Sequence, residues 1–84
     1  MGGYYESMTN EETNTYIALN VQKALERAGY TIAEASRQTG IAATTLSRRL
    51  QTPTESSFRM NELIALANLT NRSPISFLKT PAKE

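Results

Sequence analysis

A short stretch of the chain, residues 44 to 51, concentrates hydroxyl, amide and guanidinium groups that a small core does not require. At about 100° per residue along a helix, Thr44 and Arg48 project on the side opposite Leu46 and Leu50. A guanidinium can donate two parallel hydrogen bonds to a flat pair of acceptors, and hydroxyl and amide groups both donate and accept. Such a face is suited to recognising a hydrogen-bonding surface.

The elements around Gly40 must hold this face in position. Thr31 predicts a helix N-cap, and Gly40 predicts the end of that helix because glycine readily adopts the left-handed backbone conformation. Ile41 follows as an apolar plug, and a helical pattern restarts over residues 42–51. Thr52 precedes Pro53, which disfavours further helix. Residues 31–51 are therefore predicted to form two short helices around a fixed corner.

This segment resembles the helix-turn-helix of the Cro and lambda-repressor-like family, also called the xenobiotic-response-element family. The family pattern has a Thr or Ser cap, a small residue in the first helix, a Thr-Gly-Ile turn and Thr-Leu-Ser-Arg in the recognition helix. The matching residues are Thr31, Ser36, Thr39-Gly40-Ile41 and Thr45-Leu46-Ser47-Arg48.

The likeness extends over roughly residues 14–79, because residues 17–29 are similar to the first helix of the family and residues 58–78 to the fourth and fifth. The resemblance implies a compact, all-α, five-helix DNA-binding domain whose partner is a double-stranded DNA operator. The absence of period-two alternation along the chain also favours an all-helical fold.

Three positions depart from the family pattern. Ile32 stands where many relatives carry Gln, so only backbone amides are expected to hold a phosphate there. Ala42 and Ala43 open the recognition helix where longer polar residues are frequent, which weakens the cap and removes one base contact. Arg59 replaces a frequent Thr cap near the start of helix four and adds a positive charge.

The resemblance places the recognition helix, residues 42–51, in the major groove with its N-terminal half nearest the bases. Arg48 is the first choice for a base contact because a guanidinium can bond guanine O6 and N7 together, and Thr44 is the second. Arg49 lies nearer the buried edge and is expected to reach a phosphate or a carboxylate. The candidate base contacts are Arg48, Thr44, Ser47, Thr45, Ala43 and Gln51. The candidate phosphate contacts are Thr31, Ile32, Arg37, Arg49 and Arg59.

The rest of the chain fits a helical domain over residues 9–79, between a flexible arm at 1–8 and a frayed tail at 80–84. Thr9 and Glu12 predict a capping box for helix one, and Gly29 predicts its end. Ser73-Pro74 predicts the start of a last turn. The residues at helical spacing are Ile17, Val21, Ala24, Leu25 and Ala28 in helix one, and Met60, Leu63, Ile64 and Ala67 in helix four.

Charge is unevenly distributed along this chain of net charge +1. Residues 1–34 hold two cations against five glutamates, whereas residues 35–59 hold four arginines against Glu55 alone. The positive block coincides with the proposed recognition element, as an approach to phosphates would require. Taken singly, each arginine also fits an ordinary solvated surface group, and only the shared face favours the DNA interpretation.

Composition excludes several functional classes. The 84 residues contain no Cys and no His, so a disulfide framework, a thiolate metal site and an imidazole-based catalytic dyad are ruled out. We therefore expect no enzyme activity, no metal, no cofactor and no small-molecule substrate. The chain also lacks an apolar run near the roughly 20 residues that cross a bilayer, and it lacks a basic-then-apolar leader. The sequence predicts a cytoplasmic protein without membrane contact.

Apolar residues near the C-terminal end suggest a candidate homodimer, since domains of the resembled family commonly bind two-fold operators. The candidate dimer residues are Ile75, Phe77, Leu78 and Leu66. The alternative is that Ile75, Phe77 and Leu78 close the core of the monomer.

The leading hypothesis is a sequence-specific DNA-binding transcriptional regulator of the phage-repressor, Cro or antitoxin type. The departures at Ile32, Ala42 and Ala43 also fit a second hypothesis, a protein-interaction module that keeps the fold without binding an operator. A third, an enzyme or small-molecule binder, is disfavoured because the chain lacks His, Cys and clustered carboxylates.

Overall fold

A computed structural model describes residues 9–79, and the predicted arm and tail lie outside the described residues. Helix α1 spans Asn10–Ala28, α2 spans Ile32–Thr39, α3 spans Ala43–Gln51 and α4 spans Met60–Leu69. A 3-10 helix over Pro74–Leu78 follows. The described residues are thus all-helical, as predicted. The fifth element is a short 3-10 helix, so the predicted count of five helices is only partly confirmed.

Helix α1 begins and ends where local side-chain chemistry requires. Thr9 Oγ1 accepts a hydrogen bond from the Glu12 amide at 3.0 Å, and a Glu12 carboxylate oxygen accepts one from the Thr9 amide at 2.9 Å. Both bonds satisfy amides that have no acceptor within the helix. At the other end Gly29 adopts φ 81°, which stops the helix. The predicted capping box and glycine stop are confirmed.

The corner between α2 and α3 is fixed by the predicted residues. Gly40 adopts φ 82° and its amide donates to the carbonyl of Ser36. Thr39 Oγ1 donates to the carbonyl of Ala35 at 2.7 Å and accepts from the amide of Ile41 at 3.2 Å. The side chain of Ile41 is buried. The turn is therefore held by hydrogen bonds on both sides and by an apolar contact beneath it.

One hydrophobic core lies between the helices. Helix α2 packs against α3 and α4, while α1 packs against α3 and the 3-10 helix, which also packs against α4. The largest fully buried side chains are Phe77, Leu46, Leu66 and Val21. Leu46 is the one fully buried residue of α3 and anchors this helix to the core.

Several residues assigned to the core by spacing lie elsewhere. Ala28 is exposed at the end of α1, whereas Leu50 is half-buried and packs against the core as predicted. In α4, Met60 and Ile64 are exposed, while Leu63, Leu66, Ala67 and Glu62 form the buried face. Helix α4 is apolar on most sides, so spacing alone did not define its inward face. In the structure this face includes Glu62 and leaves Met60 on the exposed side.

Within residues 9–79, none of the helices combines the length and the apolar character needed to span a bilayer.

Candidate nucleic-acid interface

The outward face of α3 borders a broad, open groove of about 530 Å³. Thr44, Arg48 and Gln51 are exposed there, and Ser47 is half-buried. The groove is lined by Ile32, Ala43, Thr44, Ser47, Arg48, Gln51 and Thr52. Five of the six candidate base contacts therefore share one accessible surface, which we call the α3 groove.

Thr45, the sixth candidate, lies on the other flank of α3. It borders a hollow of about 390 Å³ between the α2–α3 corner and the start of α4, together with Arg49, Arg59 and Asn61. Thr45 is half-buried. Its position next to Arg59 makes it better suited to the edge of an interface than to the centre of the α3 groove.

Helix α3 begins one residue later than the sequence predicted. Ala42 is the N-cap, with an extended ψ of 140°, and its side chain makes no capping hydrogen bond. The weak cap expected from Ala42 is thus confirmed. The N-cap and the first residue of α3 carry only the small side chains of Ala42 and Ala43, so a flat partner can approach the backbone amides there closely.

Arg49 is engaged inside the protein. Its Nε lies 2.7 Å from Glu62 Oε1 in an ion pair, Nη2 donates to Glu62 Oε2 at 3.1 Å, and Nη1 donates to Ser56 Oγ at 2.8 Å. Only 13% of the Arg49 side chain and 10% of the Glu62 side chain are exposed. Of the two partners that the sequence suggested, the structure shows the carboxylate, and this pairing weighs against the assignment of Arg49 to DNA phosphate.

The start of α4 uses Glu62 in a second way. Arg59 is the N-cap residue, and its amide donates to Glu62 Oε1 at 2.9 Å. The Arg59 side chain is exposed at the rim of the hollow beside Thr45. The Arg59 side chain makes no capping hydrogen bond, as expected where Arg replaces Thr, and the Glu62 carboxylate instead satisfies the Arg59 amide from within the first turn.

The start of α2 is likewise held by a carboxylate of its own. Glu34 Oε1 accepts from the Thr31 amide at 2.9 Å and from Thr31 Oγ1 at 3.2 Å, and Thr31 Oγ1 accepts from the Glu34 amide at 3.1 Å. The hydrogen bond from the Thr31 backbone lowers the pKa of Glu34, as do the Thr31 hydroxyl and the charge of Arg37. Thr31 is therefore occupied as a cap, which weighs against a phosphate role for its hydroxyl and amide.

The other phosphate candidates remain accessible. Arg37 and Arg59 are exposed, whereas the Ile32 side chain packs against the core and lines the edge of the α3 groove. Any phosphate contact by Ile32 must therefore use its backbone amide in the first turn of α2.

The candidate dimer residues divide into two pairs. Ile75 is 62% exposed and Leu78 is 39% exposed, so both can meet a partner. Phe77 and Leu66 are buried in the core at 1% and 0% exposure. The assignment of Phe77 and Leu66 to a dimer contact is wrong, because both side chains close the monomer core.

Sequence reasoning missed a second group of cations. Lys23, Arg27 and Arg72 border a small hollow of about 80 Å³ with Asn20 and Ser76. The Asn20 amide nitrogen donates to the carbonyls of Phe77 and Lys79, which ties the 3-10 helix to α1. The spacing of Lys23 and Arg27 was the available signal, whereas the approach of Arg72 depends on the tertiary fold.

Comparison with known families agrees with this geometry. The family model described as "Bacterial regulatory protein, Fis family" matches residues 21–52, from the second half of α1 to the end of α3. No curated protein and no solved structure gave a significant match. The chain thus contains a helix-turn-helix DNA-binding domain of the kind found in transcriptional regulators. The match covers less than half of the chain and does not select the Cro and lambda-repressor-like family.

Proposed function

We propose that the protein is a sequence-specific transcriptional regulator of the phage-repressor, Cro or antitoxin type, which binds a double-stranded DNA operator without catalysis or cofactor. The observation that carries the proposal is the accessible α3 groove. Apart from Ile32 at its edge, its residues are polar or small, and the helix beneath them is anchored by Leu46 on its opposite side. A helix presented in this way can enter the major groove of B-form DNA.

Each residue of the α3 groove has a distinct chemical capacity. Arg48 can donate two hydrogen bonds to guanine O6 and N7, and the Gln51 amide can pair with the N6 and N7 edge of adenine. The hydroxyls of Thr44 and Ser47 can bond base edges or the nearest phosphate oxygens. The methyl group of Ala43 can contact a thymine methyl. These capacities identify Arg48 as the main source of discrimination and the others as modifiers.

Phosphate contacts would then flank the reading helix. The exposed guanidinium groups of Arg37 and Arg59 lie on α2 and at the start of α4, and the first-turn amides of α2 add backbone donors at Ile32. Thr45 is placed beside Arg59 for a supporting contact. Because Arg49 is neutralised by Glu62, the positive charge offered to DNA comes from fewer arginines than the sequence indicates.

We further propose that two copies bind a two-fold operator through a small contact that includes Ile75 and Leu78. Both side chains are exposed on the 3-10 helix, which packs mainly on α1 and α4. A symmetric contact there would leave the α3 groove of each copy accessible, and it would separate two half-sites by about one helical turn of DNA.

The experiment that tests the proposal is selection of bound duplexes from a random pool, followed by titration of the selected duplex and a scrambled duplex at two salt concentrations. A DNA-binding regulator should select a defined site, and the logarithm of its affinity should fall steeply with the logarithm of salt concentration. A symmetric site would support the dimer, and an asymmetric one would contradict it.

The second candidate function is a protein-interaction module without operator binding. Two observations favour it: Glu34 and Glu62 place carboxylates at the starts of α2 and α4, and Met60 and Ile64 expose an apolar strip on α4. The carboxylates offset part of the positive potential that attracts phosphate. Failure to select any duplex, with no dependence of duplex binding on salt, would favour this candidate.

A further inference from the structure

The ion pair between Arg49 and Glu62 joins the recognition helix to the start of α4. Arg49 Nη2 donates to Glu62, Nη1 donates to Ser56 in the segment that connects α3 with α4, and Nε lies in ion-pair contact with Glu62 without making a hydrogen bond. Helix, connecting segment and next helix are therefore held at one point. A planar guanidinium facing a carboxylate permits a narrow range of orientations.

Glu62 serves two elements with one carboxylate. Its Oε1 faces Arg49 Nε at 2.7 Å and also accepts from the Arg59 amide at 2.9 Å. A rotation of α3 that moved Arg49 would therefore disturb the cap of α4. This shared carboxylate couples the angle of the reading helix to the position of Arg59, the proposed phosphate contact at the edge of the interface.

Helix α3 needs such a second attachment. It has nine residues, Leu46 is its only fully buried side chain, Leu50 packs against the edge of the core one turn further on, and its N-terminus has no side-chain cap. These two leucines lie on one face and hold the short helix against the core, but a single apolar edge specifies its rotation less narrowly than a directional contact on a second flank does. Arg49 follows Leu46 by three residues and lies on the adjacent flank of the helix, so its contacts oppose that rotation.

Stability alone does not account for a charged pair at this position. Replacing a partly buried ion pair by apolar residues of similar volume is often neutral or stabilising, whereas the directional bonds of the ion pair are lost. An apolar pair could fill this space, but it would not specify one rotation of the helix.

We infer that Arg49 is a positioning residue for DNA reading: with Glu62 it fixes the rotation of α3, and so aligns Arg48 and Thr44 with the bases while Arg59 meets the backbone. The inference rests on the proposed function. It differs from a direct contact, because the Arg49 guanidinium is directed toward Glu62 and Ser56 and not into the α3 groove.

The test replaces both members of the pair in the full chain, as Arg49→Met with Glu62→Leu. This double variant removes one positive and one negative charge, so its net charge, and with it non-specific attraction to DNA, should stay close to that of the original protein. Affinities for the selected duplex and for a scrambled duplex are measured together with thermal unfolding. Arg27→Met, which removes an exposed arginine outside the α3 groove, is the control for manipulation of surface charge.

We expect the double variant to stay folded and to lose much more affinity for the selected duplex than for the scrambled duplex, so that its preference for the selected duplex falls about tenfold or more, the size expected when one bidentate base contact is misaligned. An unchanged preference in the folded double variant would overturn the inference and leave Arg49 with a structural role only.

Arg49→Lys provides a second measurement if the double variant does not fold. Lysine keeps the charge next to Glu62 but lacks the planar fork. We expect the free energy of unfolding to change less than the difference in binding free energy between the selected and the scrambled duplex. A preference equal to that of the original protein would contradict the inference. If the original protein itself shows no preference among duplexes, the proposed function fails, which is a different outcome from loss of preference in the variants alone.

Discussion

Arg48 and Arg49 are consecutive in the sequence and lie in opposite environments. Arg48 is exposed on the α3 groove, whereas the Arg49 side chain is only 13% exposed and pairs with Glu62. A rotation of about 100° between neighbouring residues of a helix produces this separation. One arginine is therefore available to a partner of the protein, and the other belongs to its internal structure.

Replacement of Arg48 should reduce discrimination between DNA sequences. Arg48→Ala is expected to weaken binding to the selected duplex by about 1 to 3 kcal/mol, because a bidentate contact to guanine would be lost. Binding to a scrambled duplex should change little. Titration of both duplexes at one salt concentration measures the difference, and equal weakening on the two would identify Arg48 as a phosphate contact.

Replacement of Arg59 should act on affinity without altering sequence preference. The Arg59 guanidinium is exposed at the start of α4, outside the α3 groove. Arg59→Ala is expected to weaken selected and scrambled duplexes alike and to reduce the slope of log affinity against log salt by about one. Arg27→Ala removes the same charge on α1 and should leave the slope unchanged. A change in preference after Arg59→Ala would refute the phosphate assignment.

Truncation of Leu46 should destabilise the whole domain. The side chain is fully buried and is the sole buried residue of α3, so Leu46→Ala leaves a cavity beneath the recognition helix. We expect a loss of about 2 to 5 kcal/mol in the free energy of unfolding, measured by denaturant titration. Thr44→Ala, on the exposed side of the same helix, should cost far less. Similar losses for the two would mean that the helix is rotated differently.

Gly40 should resist replacement for a reason of backbone conformation rather than space. Its φ is 82°, and a Cβ built there meets no atom within 4 Å. Gly40→Ala is expected to cost about 1 to 2 kcal/mol in the free energy of unfolding, and Gly40→Asn less, since Asn tolerates the left-handed conformation better. Denaturant titration of the two variants checks the order. A neutral Gly40→Ala would show that the corner does not require this conformation.

The cap of α2 should weaken in acid. Hydrogen bonds from the Thr31 backbone and hydroxyl lower the pKa of Glu34 below its ordinary value, with a further contribution from Arg37. A lowered pKa in the folded state stabilises the fold above the ordinary glutamate pKa, and this contribution is lost as the pH falls through the lowered value. Glu34→Gln should therefore be less stable than the original protein at neutral pH, with a difference that disappears in acid.

Thermal or denaturant unfolding at several pH values measures this difference. Glu55→Gln makes the same change in charge at an exposed position in the segment after α3 and is the matched control. A difference between Glu34→Gln and the original protein that stays constant with pH would show that the cap acts without titration of Glu34.

Local rules predicted the ends of the elements and the exposed face of α3. Thr9, Gly29, Thr31 and Gly40 act through neighbours no more than five residues away, so their roles follow from the sequence alone. The exposure of Thr44 and Arg48 followed from the helical period once Leu46 was assigned to the core.

Features that depend on tertiary packing were not predictable. Arg49 and Glu62 lie thirteen residues apart and meet only because α3 and α4 pack around the intervening segment. The inward face of α4 was ambiguous, since Met60 and Leu63 fit a helical stripe equally well. Leu66 and Phe77 were candidates for a partner surface, since nothing in their spacing shows that both side chains face the core of the monomer.

Transfer of the recognition helix into another protein would meet a specific obstacle. Residues 43–51 carry the side chains proposed to contact bases. The Arg49 side chain, proposed to orient them, pairs with the carboxylate of Glu62 in α4. A chimera that carried this helix without a counterpart of Glu62 would keep the base-contacting side chains but lose the contact that orients them. Efforts to re-engineer specificity should exchange α3, the connecting segment and the first turn of α4 as one unit.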